Sequence, residues 1–300
     1  MATPVWFITG TTSGFGKQIA VEALGRGHKV IATARNSTKL AELKSKGAHV
    51  MDFDVTADEP TLAAKLDEAA AVYGGRLTHV VNTAGYILAG AVEEASQQEV
   101  YDEFNTNVFG ICNVLRAAAP HLRSAAAGDV TRQQHQPTYV TFGSVGSYHS
   151  SPGIAHYCST KATVSSLSEG LAGEMKPFGV AVCCVEPGYT RTEFLQKVGG
   201  KERRVVARRE LDLYKTGPVQ QTKDAMEAVS GKQPGDVEKM ARVIVDVLTK
   251  EGVAKGREIP VRLPLGSDTI ETVRKTAVDY MTLVEEWEDV ARLTDYESSF

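Results

Sequence analysis

The chain has 300 residues and a formal net charge of −4, from 33 Lys and Arg against 37 Asp and Glu. Charged residues at 23% and hydrophobic ones at 42% are ordinary globular proportions, which excludes a disordered chain. No clustered basic face marks a nucleic-acid footprint, and no run of about 18 apolar residues offers a membrane span. From the N-terminus, short apolar runs alternate with longer amphipathic stretches. Val5–Thr9 is followed by the helix-length Gly14–Leu24, Lys29–Ala34 by Thr38–Lys46, and His49–Phe53 by Thr61–Tyr73. His79–Asn82 is followed by Gln97–Ser124, Tyr139–Phe142 by Ala155–Lys176, and Val180–Val185 by Asp236–Lys250; a weaker run, Glu258–Leu263, comes last. Near-continuous apolar strands joined by helices predict a parallel sheet buried on both faces, with right-handed crossovers. The predicted fold is therefore a doubly wound α/β sandwich of Rossmann type, forming one domain over residues 1–300.

Two stretches break the alternation. Ala125–Pro137 is polar and reads as an exposed loop. Phe194–Pro234 is charged and helix-prone, and long insertions at such a place often cover a ligand, so residues 194–234 are read as a substrate lid. Within it the basic run Lys201–Arg209 is interrupted by two valines and an alanine, as on a solvated helix face. Residues 267–300 form a helical extension by period, with Ile270, Val273, Ala277, Met281, Val284 and Trp287 at steps of three or four. The N-terminus MATPVWFITG shows no basic region ahead of an apolar one, so no secretory leader is expected. Cys112, Cys158, Cys183 and Cys184 are too few for a disulfide framework, and no His or Cys pair has metal-ligand spacing. A reduced, cytoplasmic protein without a metal is expected.

The first run ends in Thr9-Gly10-Thr11-Thr12-Ser13-Gly14-Phe15-Gly16. Three glycines at a strand–helix turn allow a tight turn, a close approach of backbone amides to a pyrophosphate, and close packing of the helix on the sheet. Alone, such a loop is as well read as a plain turn; its place after the first strand favours the phosphate. An NAD-binding fold of this kind expects an acid about 20 residues on, for the ribose 2′-hydroxyl. Here the second run ends Ala34-Arg35-Asn36, and a cation at that place suits a 2′-phosphate, so the expected cofactor is NADP(H).

This glycine pattern, TGxxxGxG, resembles that of the classical short-chain dehydrogenase/reductase family. In that family an Asp-Val pair after the third strand meets the adenine, and Asp54-Val55 matches it. An Asn-Asn-Ala-Gly motif ends the family's fourth strand; here it reads Asn82-Thr83-Ala84-Gly85, one residue different. The resemblance thus implies cofactor contacts from Gly10, Thr12, Ser13, Gly14, Phe15, Gly16, Arg35, Asp54, Val55, Asn82, Ala84 and Gly85. It adds Pro187, Gly188, Thr190 and Thr192 of a proline-glycine turn whose threonines meet the nicotinamide carboxamide. Arg262-Leu263-Pro264-Leu265-Gly266-Ser267-Asp268 and Glu286-Trp287-Glu288 resemble a bacterial and fungal group similar to 17β-hydroxysteroid dehydrogenases.

The chemistry centres on Tyr157-Cys158-Ser159-Thr160-Lys161. Positions i and i+4 share a helix face, so Tyr157 and Lys161 address one small volume. A phenol near pKa 10 is a poor acid–base catalyst at neutral pH, and a neighbouring ammonium would lower that value. The tuned phenol could then give a proton to a forming alkoxide, or take one in the reverse direction. Ser144 ends the fifth run, where ligands bind in this architecture, and can hydrogen-bond a carbonyl. The resemblance assigns Asn107, in Asn107-Val108-Phe109-Gly110, to a water-mediated proton relay from the lysine. Tyr157 and Lys161 would also touch the cofactor.

A serine hydrolase would need G-x-S-x-G, and Ser144 has Phe142 two residues before it. An NADP(H)-binding regulatory or non-redox protein on the same fold is the alternative reading, and loss of the Tyr or Lys would be its mark. The residues expected near the nicotinamide (Tyr86, Ile87, Leu88, Val145, Tyr148, Tyr189, Phe194, Leu195) are apolar or aromatic, with Arg191 the one cation. They predict a medium-sized, mostly apolar carbonyl substrate or the corresponding alcohol; Arg203, Arg204, Arg208 and Arg209 of the lid leave an anionic one open. Ala162, Val164, Leu167 and Leu171 could form an apolar seam, with a homodimer and a homotetramer both open.

Overall fold

The structure, a computed structural model, describes residues 3–128, 135–195, 197–198, 201–202 and 204–296. Arg203 and part of the loop expected at Ala125–Pro137 lie outside them. Seven parallel strands form one sheet: β1 (Val5–Thr9), β2 (Lys29–Ala34), β3 (His49–Asp52), β4 (His79–Asn82), β5 (Thr138–Phe142), β6 (Ala181–Pro187) and β7 (Arg262–Leu265). Their order is β3-β2-β1-β4-β5-β6-β7. The direction of winding reverses between β1 and β4, so the carboxyl ends Thr9 and Asn82 stand side by side at the switch point. Loops on either side of such a point turn away in opposite directions and leave a crevice.

Alternating side chains of β1 serve opposite faces. Phe7 joins Ile31, Val80, Tyr139, Val164 and Leu171 on one side; Trp6 and Ile8 join Ile19, Val30, Val81, Ile244 and Val245 on the other. Each such side chain contributes about 1.5–3 kcal/mol on burial. The first face is covered by α3 (Glu59–Val72), the long α5 (Gly110–Gly128) and α6 (Ala155–Met175), the second by α1 (Gly14–Gly25), the short α2 (Ala41–Ser45) and α8 (Val237–Thr249). Val164 and Leu171 therefore face the sheet and cannot serve an intersubunit seam, whereas Ala162 is exposed.

Several boundaries differ from the sequence reading. The helix expected over Gln97–Ser124 is split: α4 (Gln97–Phe104) passes through a π-helical turn, Asn105–Phe109, before α5. Such turns insert an extra residue and are frequent at functional sites; this one carries Asn107. α5 itself runs to Gly128, because Ala125, Ala126 and Ala127 are strong helix formers. The last strand is shifted from Glu258–Leu263 to Arg262–Leu265, since Pro260 cannot donate to a ladder and Pro264 is tolerated only because β7 is an edge strand. Within residues 194–234, α7 (Pro218–Val229) is preceded by Val205–Val206, which pairs with Leu88–Ala89. The chain ends in α9 (Ser267–Arg292). Among the described residues no helix is long and apolar enough to cross a membrane.

Candidate active site

The crevice at the switch point opens into a cleft of about 1350 Å³. That exceeds the range usual for one drug-sized ligand, roughly 300–1,000 Å³. The turn from β1 into α1 lines one end with Gly10, Thr12, Ser13, Gly14, Phe15 and Gly16. Gly10 has φ +69°, and a Cβ there would lie 2.9 Å from the Ala84 amide nitrogen. A Cβ on Gly16 would collide with the Thr83 hydroxyl. Thr83, the residue that departs from the family motif, donates to the Thr9 carbonyl at 2.5 Å and so ties the end of β4 to that of β1. The loop thus leaves its backbone and the α1 N-terminus facing the cleft, the arrangement that holds a phosphate.

Arg35, Asn36 and Lys39 follow along the wall, with Asp54 and Val55 opposite. Asp52, the acid nearest this point of the sheet, accepts the Ser37 amide at 2.6 Å instead of lining the cleft. Two cations beyond the end of β2, where an NAD-binding fold carries an acid, fit a 2′-phosphate. Lys39 was missed in the sequence, although a second cation four residues beyond Arg35 was its signal. Ala84, Gly85, Pro187, Gly188, Thr190 and Thr192 also line the cleft. Asn82 does not: it is buried beneath, its Nδ2 donating to the Val140 carbonyl at 3.2 Å.

Tyr157, Lys161 and Ser144 share the far wall. The Lys161 ammonium lies 5.6 Å from the centre of the Tyr157 ring and donates to the Phe142 carbonyl at 2.7 Å, so the i, i+4 expectation holds. Ser144 caps a short 3-10 turn, its hydroxyl accepting from the Gly146 amide at 3.2 Å. The electrostatics differ from the expectation. Burial pushes the Tyr157 phenol above its ordinary pKa, with the Ser144 hydroxyl opposing that rise. Burial also lowers the Lys161 ammonium to about 8. Desolvation therefore outweighs any lowering of the phenol by the lysine.

Asn107 lies behind the wall, fully buried. Its Nδ2 donates to the Tyr86 carbonyl at 2.9 Å and the Thr160 hydroxyl at 3.2 Å, while its Oδ1 accepts the Tyr86 amide at 3.1 Å. It clamps the loop after β4 against α6. One turn earlier, Glu103 is equally buried; Oε1 accepts the Leu88 amide at 2.7 Å, and burial raises its carboxyl to about 7. The sequence reading missed Glu103, whose only signal was its place four residues before Asn107. It also missed Glu186, buried just before Pro187. Arg262 holds that carboxylate with Nη2 at 2.6 Å and Nε at 3.0 Å, and Ser165 and Tyr148 donate to it. A fully paired buried carboxylate of this kind fixes the proline-glycine turn on β6.

The side expected to take the substrate is lined by Tyr86, Ile87, Val145, Ile154, Tyr189, Phe194 and Leu195, together with Met226 and Val229 of α7; Met226 packs with Ile87, Ile154 and Leu195. Leu88 and Tyr148, expected here, point elsewhere: Leu88 pairs with Val205, and Tyr148 turns to Glu186. Arg191 donates to the Gln233 carbonyl at 3.2 Å and does not line the cleft, nor do Arg204, Arg208 and Arg209. Lys232, three residues beyond α7, does.

A model of the short chain dehydrogenase family matches residues 4–203. Oxidoreductase BOA17 of Botryotinia fuckeliana is 29% identical over 295 residues, 96% of this chain and 98% of its own length. 3-Ketodihydrosphingosine reductase of Bacteroides thetaiotaomicron is 32% identical over 195 residues, 65% of this chain and 66% of its own. The crystal structure of a short-chain dehydrogenase from Streptomyces avermitilis, 34% identical, superposes with a TM-score of 0.83 over 98% of this chain and 100% of the other. A Burkholderia phymatum short chain dehydrogenase/reductase in complex with NAD shares the fold at 21% identity, with a TM-score of 0.72 over 99% and 98% of the two chains. None of these relatives is named a 17β-hydroxysteroid dehydrogenase, and that narrower likeness rests on the sequence motifs alone.

Proposed function

The chain belongs to the short-chain dehydrogenase family, and from that premise we propose that it is an NADP(H)-dependent carbonyl reductase, or alcohol dehydrogenase in reverse, acting on a medium-sized, mostly apolar ketone or aldehyde. The observation that carries this reading is that Tyr157, Ser144 and Lys161 line a cleft whose other end presents Arg35 and Lys39, with no acid at the end of β2. The glycine turn would hold the pyrophosphate, Arg35 and Lys39 the 2′-phosphate, and Thr190 and Thr192 the carboxamide. A nicotinamide dinucleotide, when bound, supplies or accepts the hydride.

The chain's own residues do the rest. Ser144 donates to the carbonyl oxygen and orients it toward Tyr157. The phenol, held above its ordinary pKa by burial, keeps its proton at neutral pH and can give it to the oxygen as negative charge develops there. That is the protonation state from which the reduction direction starts. Lys161, charged below about pH 8, stabilises the phenolate left behind and can return its proton. Asn107 and Glu103 act from behind the wall, by holding Tyr86 and Leu88 in place. The whole chain would work as one domain, with residues 194–234 closing over the substrate and excluding water. All four cysteines are free thiols, in keeping with a reducing, cytoplasmic compartment.

The wall facing Tyr157 is apolar, which supports a bulky uncharged substrate; a phosphorylated or carboxylated one would want an Arg or Lys clamp. An NADPH-depletion screen over a mixed carbonyl library tests this. Turnover should be greatest with steroid-like, terpenoid, polyketide or aromatic ketones. Preference for keto acids or sugar phosphates would show instead that Lys232 anchors an anion, and would overturn the substrate class.

A further inference from the structure

α9 is fastened to the body only at its start. Asp268 accepts the Tyr189 amide at 2.6 Å, and the Thr276 hydroxyl lies 3.4 Å from the Tyr148 carbonyl. From Ala277 to Tyr296 every residue is exposed. The helix thus projects its last 16 residues, roughly 24 Å, away from the fold. This stretch is not polar: Met281, Val284 and Trp287 are 61%, 59% and 53% exposed, beside Tyr280 and Leu283. Helices in proteins owe most of their stability to packing of an apolar face, and monomeric proteins seldom leave so continuous a patch in water.

The pattern of the helix identifies what covers it. Ile270, Val273, Ala277, Tyr280, Val284, Trp287 and Ala291 recur at alternating steps of three and four, the seam of a two-stranded coiled coil. An antiparallel copy related by a two-fold axis at residue 282 sets Ala277 against Trp287, Val284 against Tyr280 and Ala291 against Val273, pairing small with large. In that register Arg274 meets Glu288 on one flank, twice by symmetry, while Met281 and Leu283 each meet their own copies on the axis. A parallel pair would stack Trp287 on Trp287 and Tyr280 on Tyr280, and would leave Arg274 opposite Thr269. Within its own helix Glu288 pairs with Arg292 at 2.6 Å, but an exposed pair of this kind is weak and exchanges readily. From Ser267 to Arg292 the helix carries seven acids and three bases, so an anionic membrane surface is the wrong partner.

We propose that α9 is a self-association surface: two copies of this chain pair through antiparallel C-terminal helices. The starts of the two helices would then lie roughly 45 Å apart along the helix axis. The proposal does not depend on the catalytic reading. Sedimentation velocity on the full chain at micromolar concentration tests it, beside far-ultraviolet circular dichroism and NADPH titration as checks on folding. The wild type should sediment as a dimer, or as an even-numbered assembly. Val284→Glu, at an exposed position, should halve the mass and leave the spectrum and cofactor binding unchanged. Arg274→Glu should weaken association by tenfold or more, and Glu288→Arg added to it should restore association. Oxidised Met281→Cys should give a covalent dimer, and Ile270→Cys should not. A monomeric wild type, an unchanged mass with Val284→Glu, or failure of the charge swap would overturn the proposal.

Discussion

Replacing Tyr157 by Phe is expected to lower turnover by about 10²–10⁴-fold, the usual contribution of a positioned general acid. The phenyl ring would keep its contact with Phe194, 6.0 Å between centroids, and its place 5.6 Å from the Lys161 ammonium. Only the hydroxyl, with its Ser144 partner, is lost. Cofactor binding should therefore hardly change, because the glycine turn and Arg35 lie at the other end of the cleft. Steady-state kinetics with a substrate from the carbonyl screen, alongside NADPH fluorescence titration, separate the two effects. Undiminished turnover would remove Tyr157 as proton donor. A matching loss of NADPH binding would assign it to cofactor binding instead.

Arg35→Asp should exchange one cofactor for the other. The variant removes a charge-assisted contact to the 2′-phosphate, a loss of about 1.5–3 kcal/mol, or roughly ten- to a hundredfold in affinity. Arg35 is exposed, so the effect should lie toward the lower end at high salt. The new carboxylate offers an acceptor to a ribose 2′-hydroxyl, so NADH should bind more tightly than it does to the wild type. Lys39 lines the same wall and should hold part of the phosphate affinity until it too is replaced. Fluorescence titration of both cofactors against both proteins decides the matter. Equal binding of NADH and NADPH by the wild type would contradict the assignment to NADP(H).

The parts of this protein that depend on local pattern were legible in its sequence. Six of the seven strands and the crossover helices follow from apolar runs, and the glycine turn, Arg35, Ser144, Tyr157 and Lys161 follow from spacing at strand and helix ends. What stayed hidden depends on tertiary environment. The pKa of Tyr157 is set by burial, which no i, i+4 rule contains. Glu103, Glu186 and Arg262 are ordinary surface-type residues until the fold buries the two acids and brings Arg262 to one of them. Asn82 fits the family motif, yet its side chain bridges two strands below the cleft. The period of α9 gave the helix correctly and implied a packed face, but a period cannot say whether that face meets its own body or another molecule.

Hydride transfer itself provides the most direct measurement. The wild type is incubated with NADPH carrying deuterium at its transferable position and a bulky ketone from the screen, in ordinary water, and the alcohol product is examined by mass spectrometry and NMR. The expected result is one deuterium at the carbinol carbon per NADPH consumed, with the deuterated alcohol forming about 10²–10⁴-fold more slowly in Tyr157→Phe. Tight NADPH binding without deuterated alcohol from any carbonyl in the library would contradict it, and would mark the protein as a binder of the cofactor rather than a reductase.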